Sequence, residues 1–186
     1  MGHGGNVIDE LMADHREVAE MFGRMRSMAG GGQELRDLID EVTIELVRHS
    51  VAEEQYLYPA VREHVEGGGP MADKEIQDHA RVEKILKQLE KMATDDAQMS
   101  PLLRQLMDEV TAHVQDEETN LFPMLRRACT PQQLDELGDK IRRAKSMAPT
   151  RPHPSAPSSP TASKLLAPGA GLVDRARDLM SGRGKS

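Results

Sequence analysis

His113-Val-Gln-Asp-Glu117 decides the reading of this chain, together with His49-Ser-Val-Ala-Glu53, which repeats it. Each stretch places an imidazole and a carboxylate four residues apart. On a helix both side chains project from one face about a turn apart, roughly 6 Å along the axis. That is the reach of two ligands meeting one metal centre. Working outward, a shift of 64 positions superimposes His15 on His79, His49 on His113, Glu53 on Glu117, Glu54 on Glu118, Leu57 on Leu121, Tyr58 on Phe122, Pro59 on Pro123 and Arg62 on Arg126. The chain therefore contains a duplicated helical pair, each copy carrying one lone His and one His-x-x-x-Glu.

The flanking sequence places these residues on four helices. Asn6 is an N-cap with Asp9 in the first turn, and Ile8, Leu11, Met12, His15, Val18, Phe22 and Met25 form one stripe at helical spacing. Gly30 to Gly32 end that helix. The second runs from about Gln33 to before Gly67-Gly68-Gly69-Pro70, with Leu38, Val42, Leu46, His49 and Glu53 on one side. Pro59 lies inside its pattern and removes the backbone bond to Gln55, which predicts a kink or loosened turn just after Glu53, and Pro123 repeats this in the fourth helix. The third helix spans about 72–91. The fourth opens at Ser100-Pro101 and reaches about Cys129. Short connections between helices of this length predict an all-α, antiparallel up-down-up-down four-helix bundle. Thr130-Pro-Gln-Gln133 has the form of a capping box and opens a short fifth helix to about Met147, expected on the outside. The domain is thus assigned to 1–147. Residues 148–186 are assigned to a Pro-, Ala- and Ser-rich disordered tail, with a short basic amphipathic helix over 172–180 as its one patterned segment.

Composition excludes several classes. Aromatics are 2% of 186 residues and Trp is absent, so the core is aliphatic, drawing on twelve Met as well as Leu, Ile and Val. Net charge is −7. Residues 140–186 carry ten Lys or Arg against Asp174 and Asp178, so the first 139 hold fourteen Lys or Arg against 29 Asp or Glu, a net of −15. An acidic body with few aromatics argues against nucleic acid. Cys129 is the one cysteine, which excludes an internal disulfide or CxxC pair and reads as an inert thiol near a helix end. No signal peptide and no run of about 18 apolar residues is present, so a soluble, cytoplasmic protein with no membrane contact is expected.

Four imidazoles and two carboxylates inside a bundle would each need a partner, at a cost on the order of several kcal/mol per unpaired ion. A metal removes that cost, because neutral His nitrogen and Glu oxygen become its ligands. Six donors, His15, His49, Glu53, His79, His113 and Glu117, suit two ions better than one: each takes two His, and both Glu bridge. With no thiolate donor, mixed N/O ligation and positions left for a small molecule, iron is favoured over structural zinc, while such hard sites also accept manganese or a mixed pair.

These residues resemble the H…HxxxE…H…HxxxE signature of the hemerythrin-like HHE cation-binding domain, and Glu54, Leu57-Tyr58-Pro59, Glu118 and Leu121-Phe122-Pro123 resemble its flanking residues. The resemblance covers about residues 6–129. It implies the same bundle and a non-haem di-iron centre bridged by oxygen, with His15 and His49 serving mainly one iron, His79 and His113 the other, and Glu53 and Glu117 as bridges. The chain departs from the oxygen-carrying hemerythrins of invertebrates, which resemble His-x-x-x-His on the third helix; here Glu83 stands four after His79. One imidazole fewer implies a more open or differently filled site.

Tyr56, seven after His49 and three after Glu53, falls on the ligand face of a regular helix and is expected to coordinate or hydrogen-bond the centre, a tyrosine packed near the bundle end being the plainer alternative. Glu45 and Glu109, four before each motif His, are read as acceptors for ring N–H groups or as solvated acids. His3, His64 and His153 are read as surface residues. The expected function is a di-iron protein binding or reacting with oxygen, nitric oxide or hydrogen peroxide in oxidative or nitrosative stress, peroxide disproportionation being one accessible chemistry. The alternative is an iron store or sensor without turnover.

Overall fold

The computed structural model describes residues 3–28, 31–154, 169–174 and 176–178. No strand occurs among them. Up to residue 147 the helices are, in order, α1 Val7–Ser27, α2 Gln33–Ala52, α3 Tyr58–His64, α4 Gly68–Leu89, α5 Met99–Asp116, α6 Phe122–Ala128 and α7 Pro131–Met147. The π-helical turns Glu53–Leu57 and Glu117–Leu121 join α2 to α3 and α5 to α6, so that each pair is one long, locally widened helix. The bundle therefore has four rods: α1, α2 with α3, α4, and α5 with α6.

Their directions alternate, as the buried residues show. α1 passes from Ile8 and Leu11 at one end to Phe22 and Met25 at the other; α2 and α3 run back from Leu38 to Val61; α4 goes from Ala72 to Leu89; α5 and α6 return from Leu103 to Leu125. These side chains form two separate apolar clusters. One holds Phe22, Leu38, Val42, Leu86 and Leu106, the other Ile8, Leu11, Leu57, Leu121 and Leu125. Burying each of the large aliphatic ones contributes about 1.5–3 kcal/mol. His15, His49, His79 and His113 each fall between residues of the two clusters along their own helix, so a polar layer crosses the bundle between two greasy ends.

Local signals account for most helix ends. Asn6 and Asp9 form a reciprocal capping box, as do Thr130 and Gln133. α4 starts earlier than its apolar stripe predicts, at Gly68, because Pro70 in a first turn has no N–H to satisfy. Gly68 is required there: a Cβ would sit 2.1 Å from the Val61 carbonyl oxygen. α5 likewise begins at Met99, taking Pro101 into its first turn.

α7 lies against α1, α2 and the first π turn, and Leu134, Leu137, Ile141 and Ala144 join the second apolar cluster. It is more than an outer cover. Lys145, buried, donates to Glu10 Oε1 at 2.9 Å and also bonds Asp14. Residues 148–154, expected in the disordered tail, are placed against the body instead: Ala148 and Thr150 are buried and Arg151 pairs with Glu90 Oε1 at 2.8 Å. Helical backbone appears at 169–174 and 176–178, around the expected 172–180. The rest of the expected tail, 155–168, 175 and 179–186, lies outside the described residues.

Candidate metal centre

The π turns set the geometry. Tyr58 N–H donates to the Glu53 carbonyl and Phe122 N–H to that of Glu117, five residues back rather than four. Each turn ends two residues before a proline, Pro59 or Pro123, where an α-helical donor is missing. The loosened turn thus stands where the prolines predict it. A wider turn changes which side chain shares a face with Glu53. In a regular helix residues three and four on would do so; with an extra residue in the turn it is Tyr58, five on.

Tyr58 accordingly is fully buried, and its hydroxyl lies 3.1 Å from His79 Nε2, 3.1 Å from Glu117 Oε1 and 3.4 Å from Glu53 Oε2. Tyr56, chosen by regular periodicity, is turned away. It is half-buried in a groove with Cys129, Gln133 and Leu137, between α3 and α7. The expectation for Tyr56 is corrected to Tyr58 for that reason. On the opposite side Phe122, the duplicate of Tyr58, stacks on His15 with ring centroids 5.8 Å apart.

All four imidazoles are held the same way. Nδ1 of His15 meets Glu118 at 2.8 Å, that of His49 meets Asp14 at 3.0 Å, that of His79 meets Glu54 at 3.1 Å and that of His113 meets Glu75 at 2.8 Å. Each carboxylate fixes its ring so that Nε2 points inward, the arrangement by which outer carboxylates orient metal-binding histidines. Glu45 and Glu109 do not serve here. They face solvent-side arginines, Arg48 at 3.4 Å and Arg81 at 3.1 Å.

Inside, two sets of donors converge. Nitrogen and oxygen atoms of His15, His49, Glu53 and Glu117 lie within 4.8 Å of one another, and so do those of Glu53, His79 and His113. Glu53 belongs to both sets: Oε1 is 3.1 Å from His49 Nε2 and Oε2 is 3.3 Å from His79 Nε2. Glu117 Oε2 lies 3.4 Å from His15 Nε2 and 3.5 Å from His113 Nε2. Close as they are, His15 Nε2, His49 Nε2, Glu53 Oε1 and Glu117 Oε2 are buried with no hydrogen-bond partner. The four atoms face one another across the layer without being aligned for hydrogen bonds. Buried polar atoms left this way are costly, and a cation between them removes the cost.

Electrostatics agree. Burial opposes charge on His79, yet Glu53 and Glu54 outweigh it and push its pKa up to about 10. Burial likewise opposes charge on His49, and Glu53 with Asp14 raises its pKa well above the ordinary value. Burial would lift Glu53, but His49 and His79 hold it well below the usual carboxylate range. Desolvation, then the charges of Glu117, Glu53 and Glu75, raises Tyr58 strongly and keeps its phenol protonated. Without a cation, protons on His49 and His79 balance the carboxylates beside them.

The sequence profile of the family described as Hemerythrin HHE cation binding domain matches residues 6–125 and, again, 76–158. The chain belongs to that family. The HHE domain is a cation-binding one, and the His and Glu groups above are able to hold a metal. A protein of Schizosaccharomyces pombe named as hemerythrin-like is 28% identical over 94% of this chain and 86% of its own length. A protein of Nostoc named as a DNA nickase is 27% identical over 76% of this chain, which spans 39% of that protein. The crystal structure of an HHE cation binding domain-containing protein from Mycobacterium kansasii, 21% identical, superimposes with a TM-score of 0.66 over 76% of this chain and 85% of that one, a likeness of fold.

Within this HHE domain the remaining histidines behave differently from one another. His3 Nε2 approaches Asp14 at 3.3 Å, and His64 lies beside Glu63. His153, read as a surface residue, bonds Asp174 at 2.9 Å, and its backbone N–H donates to Glu83 Oε1 at 2.7 Å. Glu83 is therefore turned to the C-terminal segment and does not replace the missing imidazole. Cys129 caps α6, buried, with its thiol pKa raised by desolvation. The roles of six residues were not foreseen from sequence: Tyr58, Glu54 and Glu118, named there only as flanking residues, and Asp14, Glu75 and Lys145. Tyr58, Glu54, Glu118 and Asp14 carried a signal, since the first three belong to the duplicated flank and the last precedes His15. Glu75 and Lys145 had none, being placed by contacts between helices. No described helix is long and apolar enough to cross a membrane.

Proposed function

We propose that this HHE domain holds two iron ions and binds or reacts with a small ligand, oxygen, nitric oxide or hydrogen peroxide. The observation that carries this is the set of four buried donor atoms, His15 Nε2, His49 Nε2, Glu53 Oε1 and Glu117 Oε2, left without hydrogen bonds beside His79 and His113. His15 and His49 would hold one ion, His79 and His113 the other, and Glu53 and Glu117 would span both. Two such ions supply ferrous to ferric cycling and open coordination positions for the ligand. The chain's own part is orientation, exclusion of water and placement of one proton. Asp14, Glu54, Glu75 and Glu118 fix the rings, the two apolar clusters seal the layer, and the Tyr58 hydroxyl places a proton between Glu53, Glu117 and His79, or gives up that proton to become a further ligand.

The donor set supports iron because it offers nitrogen and oxygen and no sulfur, Cys129 lying in the separate groove beside Tyr56. Manganese or a mixed pair suits the same donors. Peroxide disproportionation is the activity to assay first, and the acidic body fits a small-molecule ligand better than nucleic acid. Metal analysis with an optical spectrum of protein purified under air is the test. Two irons per chain are expected, and none in His113→Ala or Glu117→Ala; a variant that keeps both irons overturns the assignment. A store or sensor role is the second reading, favoured by the contact of His153 with Glu83 on the helix that carries His79. Peroxide turnover by the iron-loaded protein argues for the first, and metal-dependent hydrogen exchange in residues 148–154 argues for the second.

A further inference from the structure

A cleft of about 160 Å³ opens between α2 and α4, and one of its walls is His79. Inside the bundle, a second cavity of about 20 Å³ touches all four imidazoles and is otherwise lined mainly by valines such as Val18, Val82 and Val110. That is room for about one water-sized molecule. The two spaces share Leu46, Ser50, His79 and Val82, so a single layer of side chains separates the outer cleft from the pocket. Two other surface clefts, between α1 and α2 and between α3 and α7, include none of the six donor residues.

Beside His79, neutral once it holds iron, and His153, the charged groups lining the α2–α4 cleft are acids. Glu54 and Glu83 face it, and no Lys or Arg does among the described residues. Its outer lip is His153 and Pro154. That lip is tied down on both sides: His153 N–H to Glu83, Arg151 to Glu90 and to Asp178 at 2.7 Å, and the Arg151 N–H to buried Asp174 at 3.2 Å. Gly171 permits the approach of the last helical segment, since a Cβ there would lie 2.5 Å from the Met147 carbonyl oxygen.

We propose that this cleft is the route by which small ligands reach the pocket, that Glu54 and Glu83 select uncharged ligands over anions along it, and that segment 151–154 narrows its mouth. The inference rests on the two-iron reading of the centre. A cleft lined by one sign of charge lowers the local concentration of ions of that sign and leaves neutral molecules unaffected. Hydrogen peroxide, nitric oxide and oxygen therefore enter freely, while azide or superoxide is held back.

The test is the association rate of azide and of hydrogen peroxide with the iron-loaded full chain, followed by absorbance after rapid mixing, with iron content measured for every variant. Ala80→Trp, which fills the cleft from an exposed position, is expected to slow both ligands by about tenfold or more at unchanged iron content. Glu83→Gln keeps the acceptor for His153 N–H and is expected to speed azide by roughly three- to tenfold while leaving peroxide within about twofold. Should Ala80→Trp fail to load iron, Arg151→Ala reads the same route from far outside the centre: faster entry of both ligands supports it, and unchanged rates overturn it. Iron-loaded Ala80→Trp with the rates of the parent overturns the route alone. Equal effects of Glu83→Gln on azide and peroxide, or none on either, overturn the selection by charge. A parent chain that takes up no iron overturns the reading of the centre, and the route with it.

Discussion

In the first half of the molecule His49 turns its Nδ1 to Asp14, and Asp14 is itself gripped by the buried Lys145 of α7. In the second half His113 turns to Glu75, and the cation beside Glu75 is Lys74, whose side chain is 53% exposed and shared with Asp78 and Asp116. The inner donors repeat almost perfectly, but what stands behind them does not. Behind Asp14 stands a buried cation on α7; behind Glu75, itself buried, stands a cation that solvent reaches. The inner layer also differs at one position, where Tyr58 brings a hydroxyl and Phe122 brings none. The duplicated motif thus places matching His and Glu side chains in both halves, while their surroundings give the two halves different electrostatics and a hydroxyl on one side only.

The comparison breaks most sharply at the two lysines. Lys145→Met takes the buried cation from Glu10 and Asp14, leaving Glu10 to Arg142 and Asp14 to His49 and His3, and should cost about 3 kcal/mol in urea unfolding. Lys74→Met removes a solvated cation and should cost under about 1 kcal/mol. Similar losses would mean that the burial of the first half's cation has no energetic consequence. Next in size are the ring-orienting acids. Asp14→Asn and Glu75→Gln should each weaken metal binding by about 10- to 100-fold in competition titrations, with Asp14→Asn the worse because it also releases Lys145. Equal affinities in parent and variants would show that the rings are held by packing alone.

Acidity probes the same balance in the metal-free protein. His79 titrates near 10 in the fold against an ordinary 6.5, so its stabilisation is fully present below pH 6.5 and is lost as pH rises through about 10. Thermal unfolding of metal-free protein should therefore move to lower temperature across that range, and metal loading near neutral pH should release protons. A flat profile would contradict the pairing of His79 with Glu53 and Glu54. Tyr58→Phe, which makes the two halves alike, should cost only about 1 kcal/mol. Its spectrum is the sharper readout: if the phenol gives up its proton to iron, the resulting phenolate-to-iron band should vanish in Tyr58→Phe and persist in Tyr56→Phe.

The sequence by itself determined the bundle and the six inner donors. Apolar stripes, caps and glycine breaks specify helices locally, and a pattern repeated at a constant offset needs no knowledge of packing to be seen. Even the loosened turns were legible, because a proline's missing N–H is a local fact. Only the tertiary structure decided which tyrosine enters the site. Counting along a regular helix selects Tyr56, whereas a π turn rotates everything after Glu53 and brings Tyr58 inward. It also decided that Glu75, Lys145 and residues 151–154 matter, since each acts across a helix interface or back onto the body from the chain's end. Their roles depend on distances between segments far apart in sequence, and no periodicity within one segment encodes those.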